Sequence, residues 1–164
     1  MSASDFPPPL NPKNEWWTPP AIIEAARASM GGIDLDPASC AEAQETVRAD
    51  RWIGLPDDGL AHPWSGKVWL NPPWSEPGRW CDYLLSQDVD AAVFLGPLSA
   101  ANWVQRLWRD ADAVVWIRGT AHSWAWGGPG AEASRIGRPW TWGIVAACIG
   151  DCCWLPMTEL GAAR

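Results

Sequence analysis

The run Asn71-Pro72-Pro73-Trp74 holds the residues best suited to chemistry on a nitrogen atom. The Asn71 amide oxygen and the Pro72 carbonyl can accept hydrogen bonds from both protons of an amino group whose lone pair is delocalised. Two such acceptors draw the nitrogen toward tetrahedral geometry and aim its lone pair outward, so acceleration comes from alignment and electrostatics. Two prolines fix φ and hold the acceptors in place without N–H groups of their own to satisfy. Trp74 adds a flat face for a planar partner. The plain alternative is a proline turn followed by a core tryptophan. Fifteen tryptophans in the chain make their number uninformative, and only position distinguishes Trp74.

The motif needs an element to present it. Lys67-Val68-Trp69-Leu70 reads as a strand that stops at the prolines, because proline cannot donate to a sheet ladder. Upstream, Thr18-Pro19-Pro20 starts a helix with Thr18 as its cap and Ile22, Ile23, Ala26 and Met30 as its apolar stripe, and Gly31-Gly32 ends it. Ile33–Asp36 is a short strand, followed by a polar helix around 41–48. Residues 77–87 and 99–109 read as helices, and 91–95, 113–117 and 142–149 as apolar strands. This alternation predicts an α/β domain with a mostly parallel sheet and helices on both faces. Ligands of such sheets bind beyond the carboxyl ends of the strands. The turns at 34–39 and 71–74 both fall there.

Composition narrows the setting. The 164 residues suit one domain, expected over 15–155, between a proline-rich, flexible lead-in at 1–14 and a tail at 156–164. Five cysteines, an odd number with no CxxC pair and no nearby histidine, read as reduced thiols in a cytosolic protein and not as a metal site. No apolar run is long enough to span a membrane. The net charge of −7 opposes nucleic-acid binding as a whole. Residues 1–99 carry six Lys/Arg against fourteen Asp/Glu, whereas 100–140 carry five Arg against three acids. That second stretch is the part able to face phosphate. Its glycine-rich segment at 120–140 is long enough to act as a recognition loop.

The Asn-Pro-Pro-aromatic turn resembles the catalytic motif of amino-methyltransferases, and the blocks around it resemble the phage-encoded Dam-like DNA N6-adenine methyltransferase family. Glu15-Trp16-Trp17-Thr18-Pro19 comes first, then Asp34-Leu35-Asp36-Pro37-Ala38-Ser39, then Asp58-Gly59-Leu60 with Trp64 following, then Trp69 to Trp74. Order and spacing across 15–80 are more specific than any one block, and the likeness weakens from 91 to about 150.

The resemblance implies a single minimal Rossmann-like domain that uses S-adenosyl-L-methionine to methylate N6 of adenine, with the base extruded from DNA and stacked on Trp74. It further implies that Asp34, Asp36, Pro37, Ala38 and Ser39 form the cofactor turn. Asp58, ahead of Asp50, would accept from the cofactor's ribose or adenine, and Thr18 and Pro19 would close its methionine end. Arg118, Arg135 and Arg138 become candidates for DNA contact, with solvated surface charge as their alternative. The setting implied is the cytoplasm of a bacterial host, with phage or prophage origin. The oligomeric state is left open, a dimer among the options. One departure stands out: Ser39-Cys40-Ala41 occupies the place of the glycine-rich loop usual after Asp-Pro.

Other chemistries use related turns. Cytosine C5 transfer needs a cysteine nucleophile, usually after proline, and the chain has no Pro-Cys pair. Cytosine N4 and protein glutamine N5 transfer both fit the motif. A fold that binds cofactor or DNA without turnover is a fourth reading. The short chain also predicts relaxed or very short target specificity, or help from a second subunit.

Overall fold

The computed structural model describes residues 16–97, 99–117, 124–125 and 144–151. In chain order these form β1 (Trp16–Trp17), α1 (Pro20–Met30), β2 (Leu35–Asp36), α2 (Gln44–Val47), β3 (Arg51–Trp52), a 3-10 turn (Gly59–Ala61), β4 (Lys67–Leu70), α3 (Pro77–Leu85), β5 (Ala91–Pro97), α4 (Asn102–Asp110), β6 (Ala113–Ile117), β7 (Trp124–Ala125) and β8 (Ile144–Gly150). The expected lead-in at 1–14, the tail at 156–164 and most of the 120–140 loop lie outside the described residues.

Six strands make one sheet in the order β3-β2-β4-β5-β8-β6, and β1 pairs separately with β7. β3, β2, β4 and β5 run parallel, and β8 lies antiparallel between β5 and β6. The fold is therefore mixed α/β with a mostly parallel sheet. Alternation along the strands sends side chains to two faces. Trp69, Val93 and Leu95 point into one apolar cluster with α1 and Val47 of α2. Val68, Leu70, Ala92 and Phe94 point into the other, with Trp80 and Leu84 of α3 and Trp103 and Leu107 of α4. Helices thus cover both faces, as the continuous apolar strands require.

Three details differ from the sequence reading. Thr18 does not cap α1: the Pro19 carbonyl accepts from the Ile22 amide and no side chain caps the helix. Proline at the first helical position needs no donor satisfied there, so the hydroxyl is released for other use. The polar helix at 41–48 shrinks to one turn, closed by Arg48 in the left-handed region, and the Gln44 amide turns back onto Asp36 and Ser39. β1, β3 and β7 were not anticipated, each being two residues long; β3 pairs with β2, and β1 with β7.

The strand order carries the main consequence. From β2 the chain passes to β3 on one side and then returns to β4 on the other. The carboxyl ends of β2 and β4 therefore flank a crevice at the point where the order reverses, which is where open α/β sheets bind ligands.

Candidate active site

β4 ends at Leu70 and β2 at Asp36, so Asn71 and Pro37 emerge side by side at the reversal point. Beyond them lies a cavity of about 770 Å³, within the range of roughly 300–1,000 Å³ usual for small-molecule sites. One wall is the turn from Asp36 to Ala43, and the adjoining wall is the loop from Trp52 to Gly59. Trp69, Trp80, Val47 and Ile23 supply apolar surface, and Thr18, Thr46, Asn71, Pro72 and Pro73 complete the lining.

The two walls are held together by close backbone contact. Ser39 N–H donates to the Ile53 carbonyl at 2.9 Å, and Ile53 N–H to the Asp36 carbonyl at 2.9 Å. A Cβ on Gly54 would lie 2.2 Å from the Ser39 oxygen, and one on Gly59 would lie 1.9 Å from the Pro37 oxygen. Only glycine fits at either place. These two glycines let the 52–59 loop lie directly on the backbone of residues 37–39. Trp64 fixes the base of that wall, its indole donating to the Gly59 carbonyl at 2.9 Å while it stacks on Trp80.

Asp36 is almost completely buried, at 2% exposure. Its carboxylate accepts from Gln44 Nε2 at 2.8 Å and more weakly from the Ala38 amide at 3.4 Å. Burial nonetheless dominates and lifts its pKa from 3.8 to about 6, with the bonds to Ser39, Ala38 and Gln44 pulling the other way. Asp58 spends one carboxylate oxygen on the Leu60 amide, which caps the 3-10 turn, and its other oxygen lies 3.9 Å from Arg79 in an exposed pair. Asp36, Glu42, Asp57 and Asp58 all line the cavity, and no Lys, Arg or His is among the described lining residues. Such a site favours a cation and repels phosphate.

At the mouth of β4 the Asn71 amide is held from two sides. Nδ2 donates to Thr18 Oγ1 at 3.1 Å, and Oδ1 accepts from Trp74 Nε1 at 3.2 Å. Asn71, Pro72, Pro73, Thr18, Asp36, Pro37, Ala38, Ser39 and Asp58 are therefore brought together around one space. Three expected residues are not among its lining. Asp34 accepts from the Lys67 backbone N–H at 2.8 Å, binding β2 to the start of β4 at the opposite end of the strands from the cavity. Pro19 supplies the carbonyl that starts α1. Trp74 is half-buried and reaches Asn71 by its ring N–H. Arg118, Arg135 and Arg138 lie outside the described residues. Among the described residues no group of three or more His, Cys, Asp or Glu could hold a metal, and Cys40 and Cys81 are free thiols.

Sequence reasoning missed Gln44 and the 52–57 wall. The run Ile53-Gly54-Leu55-Pro56-Asp57-Asp58-Gly59 is a dense turn signal. Nothing local indicated which strand end it would face.

Comparison with known proteins points to a family. The model of the family described as DNA N-6-adenine-methyltransferase (Dam) matches residues 8–136. A curated DNA N-6-adenine-methyltransferase of Escherichia phage T1 is 26% identical over 113 residues, covering 62% of this chain and 44% of the relative. The chain therefore spans less than half the length of that relative.

Proposed function

The chain belongs to the DNA N-6-adenine-methyltransferase (Dam) family, and on that premise we propose that it methylates N6 of adenine in DNA, using S-adenosyl-L-methionine and the Asn71-Pro72-Pro73-Trp74 turn. The observation that carries this reading is the position of Asn71 and Pro72 on the rim of a carboxylate-lined cavity at the sheet's reversal point. In this reading residues 15–155 act as one Rossmann-like methyltransferase domain in the cytoplasm of a host cell.

The residues present suit the cofactor. Its sulfonium and ammonium charges match the cavity's carboxylates, and it carries no phosphate for them to repel. Thr18, Asp36, Pro37, Ala38, Ser39 and Asp58 would hold it, with Asp58 facing its hydroxyls or amine. When bound, it supplies an electrophilic methyl group on positively charged sulfur.

The chain's own residues do the rest. Asn71 Oδ1 and the Pro72 carbonyl accept the two protons of the adenine amine, which localises the nitrogen lone pair. An amide oxygen has two lone pairs, so the amine can bond beside the Trp74 N–H or in its place. Pro72 and Pro73 keep the acceptors from rotating. The Trp74 ring offers a stacking face that replaces what the base loses on leaving the duplex, an extrusion costing a few kcal/mol. The acidic cavity admits the neutral base and excludes the phosphate backbone, which Arg118, Arg135 and Arg138 would meet outside.

The test is detection of modified adenines in DNA from cells expressing the wild type or Asn71→Ala, with purified protein titrated against S-adenosyl-L-methionine by calorimetry. Asn71→Ala should abolish modification while cofactor affinity stays within about twofold, because the lost acceptor serves the amine. Methyl transfer to protein glutamine or cytosine instead of adenine would overturn the assignment. So would cofactor binding without transfer in the wild type.

A further inference from the structure

An Asn side chain can bind an amine proton only if its oxygen, not its nitrogen, faces the substrate. Oxygen and nitrogen differ little in size, so shape alone does not choose between two orientations related by a half-turn of the amide. The two described side-chain partners of Asn71 choose differently. Thr18 has a hydroxyl, which can give or accept, so it satisfies either orientation equally. Trp74 has an indole N–H, which can only give. At 3.2 Å from Asn71 it tolerates oxygen and would confront the amide NH₂ with a second donor.

Resting on the methyltransferase reading, we infer that the Trp74 indole N–H sets the orientation of the Asn71 carboxamide, making Trp74 a positioning residue that acts through Asn71 in addition to any stacking. Thr18 then takes the Nδ2 proton, at 3.1 Å, and completes the clamp. The distinction is chemical: a phenylalanine in the same place keeps an aromatic face but has no donor. Without the indole N–H, Thr18 can give its own proton to Oδ1 after a half-turn, and the amide presents NH₂ where an acceptor is needed.

Trp74→Phe tests the donor separately from the face, and Asn71→Asp removes the orientation problem, since a carboxylate is the same either way round. With an adenine-containing duplex and saturating cofactor, Trp74→Phe should lower kcat about 10- to 100-fold in the Asn71 background. The same change in the Asn71→Asp background should cost about threefold or less, and cofactor affinity should hold within about twofold in both. Equal losses in the two backgrounds would mean that the indole acts by packing, and an unaltered kcat would mean that it does nothing; either overturns the inference. A readout independent of turnover is the ¹⁵N–¹H resonance of the Trp74 indole, identified by its loss in Trp74→Phe. Asn71→Ala should shift it and speed its solvent exchange. A resonance unmoved by Asn71→Ala refutes the clamp, whereas a wild type with no methyl transfer refutes the functional reading and leaves this measurement to decide the clamp.

Discussion

The Asp36 carboxyl shows how one side chain can tie stability and ligand binding to pH. Its pKa rises from 3.8 unfolded to about 6 folded because burial penalises the charge. The folded state therefore holds this proton more tightly than the unfolded state. The resulting stability is fully present below about pH 4 and is lost as pH rises through about 6, a loss on the order of 3 kcal/mol. Asp36→Asn, which stays neutral, should flatten the stability–pH curve between about pH 4 and 6 and match the wild type only at the acid end. Chemical denaturation at several pH values reads this directly. A cationic cofactor favours the ionised form, so its affinity in the wild type should tighten as pH rises through about 6, with proton release visible by calorimetry in two buffers. A cofactor affinity that is flat across that window would show that the carboxyl does not face the bound charge. The sequence revealed Asp36 as a strand-end carboxylate, since Asp-Pro after a short apolar run is a local pattern. Its burial and its bond to Gln44 depend on how a one-turn helix folds back, which no local pattern encodes. The same holds for Trp74: its aromatic face was legible from the motif, the direction of its N–H was not.

Among the elements, the two cavity walls depend on contacts between segments that α2 and β3 separate in sequence. Gly54 and Gly59 let the 52–59 loop lie directly on the backbone of residues 37–39. Gly54→Ala or Gly59→Ala must push the walls apart, since the obstructing atoms are backbone oxygens and cannot rotate away. Each substitution should cost about 1–3 kcal/mol of stability, comparable to overpacking a core, and weaken cofactor binding along with it. Thermal unfolding and calorimetric titration check the two effects, and loss of stability with unchanged affinity would separate this contact from the binding site. The long elements were legible because their signals are local: proline stops β4, an apolar stripe marks α1, and continuous apolar runs mark β5 and β6. β3 escaped because two residues carry no period, and its existence rests on hydrogen bonds to β2.

For the whole molecule, the sheet's order matters more than its content. The 144–150 run was readable as a strand, but its antiparallel place between β5 and β6 was not, because register with β5 spans some fifty residues of chain. Pairing β8 to both neighbours makes it interior: β6 meets the rest of the sheet through β8. A chain ending at residue 143 should therefore lose cooperative unfolding, while one ending after 151 should retain more, as read by circular dichroism during a denaturant titration. Equal, sharp transitions for both would contradict this placement.

The placement of β8 also sets a schedule. During synthesis the early strands can gather as soon as they leave the ribosome, yet β6 must wait, its edge unpaired, for a partner still to be made. The gap between exposure and closure is the stretch from 118 to 143, so lengthening that stretch prolongs the wait in proportion to translation time. A growing chain of this kind is most vulnerable to sticking and proteolysis just before β8 emerges.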